Sequence, residues 1–152
     1  MVEQDSDFNG LTYRKKPLGG TESAFVLLAE SFAKIGHKVI ALTKNLSTID
    51  YNGVCWKHIG TKVYECDLYI INRAPSSLDK APKAKKTILW IHNPASYLNK
   101  FKNFRRLIFK DLEVVCSGNY HYNSIPVWLK KRSVIIPLGL SEEVLQHQKI
   151  DN

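Results

Sequence analysis

Apolar positions along this chain gather in short, almost uninterrupted runs. The clearest are Val39-Ile40-Ala41-Leu42-Thr43, Leu68-Tyr69-Ile70-Ile71, Thr87-Ile88-Leu89-Trp90-Ile91, Val114-Val115-Cys116 and Ser133-Val134-Ile135-Ile136. Runs this short and this apolar suit strands of a parallel sheet covered on both faces. Between them the period changes. Phe25, Leu28, Phe32 and Ile35 recur at helical spacing and Gly36 ends that helix. The turn Pro17-Leu18-Gly19-Gly20-Thr21-Glu22 leads into it, with Thr21 as the expected N-cap and Glu22 against the positive end of the helix dipole.

The weaker segments complete the outline. Residues 52–59 read as a marginal strand after a turn at Asn52-Gly53, and residues 75–86 as a basic, proline-punctuated connection. Residues 97–110 read as a helix whose Tyr97, Phe101, Phe104 and Ile108 share one face, and residues 120–129 as a short helix. Residues 1–16 are polar without a period and read as an irregular N-terminal arm. Strands alternating with helices predict an α/β fold, a Rossmann-like three-layer domain with a mostly parallel sheet. The domain is expected over residues 17–145, with a C-terminal tail at 146–152.

Composition narrows the class. The 152 residues suit one domain with its own core, and 44% hydrophobic with 24% charged is the balance of a globular protein. No apolar run approaches the roughly 20 residues that cross a bilayer. Glu3, Asp5 and Asp7 make the N-terminus acidic where a signal peptide is basic. The expected location is cytoplasmic. Cys55, Cys66 and Cys116 are an odd set without close metal-ligand spacing, so reduced thiols and no metal are expected. The net charge of +8 attracts nucleic acid, anionic lipid and phosphorylated small molecules alike.

In open parallel sheets, ligands sit outside the carboxyl ends of the strands. The polar residues that follow the runs fall there: Asn72-Arg73, His92-Asn93 and Ser117-Gly118-Asn119. The Gly19-Gly20 turn adds backbone without Cβ atoms ahead of a helix N-terminus, which suits a phosphate but is also an ordinary turn. It lacks the Gly-Lys-Ser/Thr ending of a P-loop and the third glycine of a dinucleotide site. Arg73 suits a phosphate or carboxylate, or equally a structural ion pair. His92 can hydrogen-bond a sugar hydroxyl, or be a loop histidine without a role. Lys100, Lys102, Arg105, Arg106 and Lys110 make residues 97–110 a basic amphipathic segment, able to lie on an anionic membrane or simply to pack on the sheet.

Together these stretches resemble the N-terminal domain of family-four retaining glycosyltransferases of the two-domain GT-B fold. The resemblance rests on Leu18-Gly19-Gly20-Thr21-Glu22 with its helix up to Gly36-His37-Lys38-Val39. Leu89-Trp90-Ile91-His92-Asn93 and Val134-Ile135-Ile136-Pro137-Leu138-Gly139-Leu140 carry the rest. It implies transfer of a sugar from a nucleotide-sugar donor to a glycan, lipid-linked or polysaccharide acceptor, with retention and without a metal or other cofactor. His92 would be catalytic. Gly19, Gly20, Thr21, Arg73, Asn93, Ser117, Gly118 and Asn119 would bind substrate.

The chain departs from the family pattern at three points. No convincing first strand precedes the Gly-Gly turn. Asn93 stands where the family has an acidic residue, and Leu138 where it has asparagine. The second GT-B domain, which would carry most of the nucleotide site, is not seen in the sequence. The isolated chain is therefore expected to be inactive and to need that domain or a partner subunit. The alternatives are a catalytically silent binding module or a split-enzyme subunit. A nucleic-acid binder is disfavoured, because the aromatics alternate into strands and one helix face and form no stacking platform.

Overall fold

The apolar runs become parallel strands of one sheet in the computed structural model, which describes residues 1–139. In chain order the elements are β1 (Val2–Glu3), α1 (Gly10–Lys15), α2 (Gly20–Lys34), β2 (Val39–Thr43), β3 (Ile49–Tyr51), β4 (Val54–His58) and β5 (Glu65–Asn72). A 3-10 segment (Pro75–Lys80), β6 (Lys83–Ile91) and a second 3-10 segment (Ala95–Asn99) follow. The chain then forms α3 (Phe101–Leu107), β7 (Glu113–Cys116), α4 (Asn119–Ser124), α5 (Val127–Lys130) and β8 (Ser133–Ile135).

The sheet order is β3-β4-β2-β1-β5-β6-β7-β8, and every pairing is parallel except β3 with β4. That antiparallel pair turns at Asn52 (φ 49°) and Gly53 (φ 75°), two left-handed residues that match the twist of a tight hairpin. Successive residues of the central strands serve opposite faces. Ile71, Leu89, Ile91, Val114 and Cys116 point to a core closed by Leu98, Leu107, Ile125 and Leu129. Ile70, Trp90 and Val115 point to the other face, under Ala24, Leu28 and Phe32 of α2. Helices therefore cover both faces, giving the three-layer Rossmann-like architecture.

The N-terminal segment is a correction to the sequence reading. Residues 1–16 are not an irregular arm, and the first strand is present. Val2 pairs with Leu42 on one side and Ile71 on the other, and Glu3 pairs with Asn72. Phe8 is fully buried, edge-on to Phe25 at 5.8 Å and Trp56 at 6.1 Å. Asn9 caps α1 through a capping box with Thr12. A two-residue strand has no measurable period, which is why the apolar pattern missed it.

Other boundaries also move. Gly19, not Thr21, is the N-cap of α2, so Thr21 lies inside the first turn. Gly36, at φ 94°, ends the helix as expected. Strand β6 begins at Lys83, inside the stretch expected to be a connection. Its lysines lie along the exposed sheet, where Lys85 pairs with Asp67 and Lys86 with Glu113. Residues 97–110 are not one helix. The 3-10 segment stops at Lys100, whose ψ is 132°, and α3 restarts with a different phase. Leu98 and Leu107 consequently take the core positions and leave Phe101 outside. No helix among the described residues is long and apolar enough to cross a membrane. Leu140, the end of the domain and the tail at 146–152 lie outside the described residues.

Candidate functional site

Because β1, β5, β6 and β7 run parallel, their carboxyl ends deliver Glu3, Asn72-Arg73, His92-Asn93 and Ser117-Gly118 to one rim. The N-terminus of α2 joins them through Glu22.

Glu3 anchors the rim. Its side chain is completely buried, which is costly for a carboxylate unless its oxygens are paired. One oxygen accepts the Asp5 N–H at 2.9 Å and lies 3.0 Å from Arg73 Nη2. The other accepts from Asn72 Nδ2. Arg73 bends back to make this pair by adopting φ 62°, a left-handed conformation costing a non-glycine residue roughly 1–2 kcal/mol. The bend is held by Arg73 N–H donating to the Trp90 carbonyl at 2.9 Å and Tyr97 Oη donating to the Arg73 carbonyl at 2.8 Å.

The guanidinium also reaches Glu22 at 3.4 Å, and Glu22 accepts from the Ser6 hydroxyl at 2.8 Å. Burial acts to raise the Glu22 pKa. The Ser6 hydroxyl, its own backbone N–H and Arg73 outweigh that and hold it below the usual carboxylate range. Of the two roles open to Arg73, the structural ion pair is the one it fills. One guanidinium between two carboxylates leaves a local charge of −1. A diphosphate would meet repulsion at this spot, while neutral hydroxyls would meet acceptors.

His92 is half-buried beside Trp90, with ring centroids 4.2 Å apart. Burial, then Arg73, then His121 lower its pKa to about 4, against a smaller opposing pull from Glu22. The imidazole is neutral at pH 7. Its Nε2 is buried without a hydrogen-bond partner, as are Asn72 Oδ1 and Arg73 Nε of the same rim. Ser117 Oγ lies 3.0 Å from His121 Nδ1.

The expected residues are thus only partly gathered. Arg73 touches Glu22, and both act electrostatically on His92. A Cβ on Gly19 would strike the Glu22 carboxylate, whereas Gly20 and Gly118 face open space. Thr21 is half-buried, and Asn93 and Asn119 are exposed. Sequence reasoning missed Glu3, Ser6, Tyr97 Oη and His121 as parts of the rim. The four-residue spacing of Ser117 and His121 was the one available sign of their pairing. Among the described residues no group of His, Cys, Asp or Glu is arranged to hold a metal.

Comparison with protein families, curated proteins and solved structures finds no match to this chain. The chemistry of the rim therefore has to be argued from its own geometry.

Proposed function

We propose that this chain is the acceptor-side half of a retaining glycosyltransferase, working with a facing domain that supplies the donor's nucleotide site. The observation carrying this reading is the placement of His92, a half-buried neutral imidazole, on a rim shared with Glu22 and Arg73. A neutral imidazole can hydrogen-bond a sugar hydroxyl without attracting stray anions. Arg73, fixed by two carboxylates, contributes geometry and no net positive charge. The leaving diphosphate would then be stabilised chiefly by the facing domain, with Gly20 leaving backbone room at the α2 N-terminus. In the transfer, the anomeric carbon–oxygen bond to the diphosphate breaks and one to the acceptor oxygen forms. The acceptor proton leaves on the diphosphate.

Two measurements test this. Side-chain NMR of His92 during titration with a simple hexoside should show its resonances moving, with smaller changes for a nucleoside diphosphate. Silence of His92 and Glu22 toward both ligands would remove the support. In the complete two-domain enzyme, His92→Ala should lower kcat about 10²–10³-fold, the range for loss of one preorganised polar contact. A second reading, a silent sugar-binding module, is favoured by the engagement of Arg73 Nη2 with two carboxylates. It predicts hexoside binding with no turnover in any pairing.

A further inference from the structure

Helix α3 and the residues that follow it carry two exposed aromatic rings that the proposed site does not use. Phe101 is 73% exposed and Phe109 89%. Leu107 between them is fully buried, and Ile108 keeps helical angles past the end of α3. Phe109 lies two residues past the end of α3. Lys100, Lys102, Arg105 and Lys110 are exposed around the two rings, and none is in an ion pair among the described residues. Of the neighbouring acids, Asp79 is already held by Arg106 at 2.8 Å through Nε, and Asp111 follows Lys110 in the chain. Arg105 lies over the Phe101 ring, 5.7 Å from its centroid. An open depression of about 400 Å³ lies among Asp79, Phe101, Lys102, Arg105 and Arg106.

The platform is fixed from behind. Trp128 packs edge-on to Phe104 at 5.0 Å and donates to Asn99 Oδ1 at 3.2 Å, while Arg132 donates to the Lys110 carbonyl at 2.7 Å. We infer that this face docks on an anionic lipid surface, Phe101 and Phe109 entering the headgroup–acyl boundary while the free cations meet lipid phosphates. Exposed rings beside cations fit that occupant: residues 100–110 hold five basic side chains, of which only Arg106 is paired, and no acidic one, flanked by Phe101 and Phe109 in solvent. Two aromatic anchors with a few cations make a shallow, reversible attachment. The inference is independent of the sugar-transfer reading.

Vesicle flotation tests it with phosphatidylcholine alone and with added phosphatidylglycerol. Binding should require the anionic lipid, and each cation removed among Lys102, Arg105 and Lys110 should weaken it about fivefold. Phe101→Ser with Phe109→Ser should abolish it while leaving the thermal melt unchanged, since neither ring packs in the core. On adding anionic vesicles, the emission of Phe109→Trp should shift further to the blue than that of the parent protein and be quenched by brominated acyl chains. Equal binding to both vesicle types, no binding to either, or binding without quenching would each overturn the proposal. So would loss of binding to duplex DNA, in place of vesicles, when the cations are removed.

Discussion

The rim around Glu3 and the outer face of α3 are both rich in charge, and they use it in opposite ways. On the rim, Arg73 is paired with both Glu3 and Glu22 in a buried or half-buried cluster. On α3 and just past it, Lys102, Arg105 and Lys110 stand in solvent with no ion pair among the described residues. Paired and desolvated charges lock a backbone into place, here the left-handed bend of Arg73. Free charges beside exposed rings stabilise nothing internally and remain available to a partner. Formal net charge alone could not distinguish the two regions.

The sharpest test of that contrast is Arg73→Ala, which leaves the buried Glu3 carboxylate without its cation. It should destabilise the domain by about 3 kcal/mol in urea unfolding, as breakage of a buried pair does. Arg73→Lys should recover part of the loss. If Arg73→Ala is neutral, the rim is not held by that pair.

A smaller effect is expected from pH. The His92 pKa falls on folding from the ordinary 6.5 to about 4, so between those values the unfolded chain binds more protons. Stability contributed by His92 is complete above about pH 6.5 and declines as pH drops toward 4. Glu22 acts in a lower window. Its contribution is present above 4.5 and lost as pH falls through its depressed folded value. His92→Gln should flatten the slope of urea midpoints between pH 6.5 and 4, and an unchanged slope would assign that titration to another group.

The smallest effect belongs to α3. Lys102→Gln with Arg105→Gln should change stability by no more than about 0.5 kcal/mol, as exposed substitutions do. A larger loss would mean that these cations are bound to the fold after all.

Several parts of this contrast were legible in the chain. Arg73 and His92 end apolar runs, and the ends of parallel strands share one side of a sheet, so their meeting could be argued from order alone. Glu3 could not, because its strand is two residues long and is defined by the neighbours on either side. Arg73 left two roles open because its partners lie 70 and 51 residues away in the chain. The outer face of α3 was misphased because a 3.6-residue period was carried through Lys100, where the chain is extended.

What the sequence by itself determined is the alternation of strands and helices, the glycine that ends α2 and the tight turn at Asn52-Gly53. These depend on contacts or dihedral preferences within a few residues, which local pattern encodes. Tertiary structure alone decided that Val2–Glu3 fills the middle of the sheet, that Arg73 is already paired, and that Leu107 rather than Phe101 enters the core. Each of those outcomes is a competition among groups distant in the chain, and burial settles it only when the layers close together.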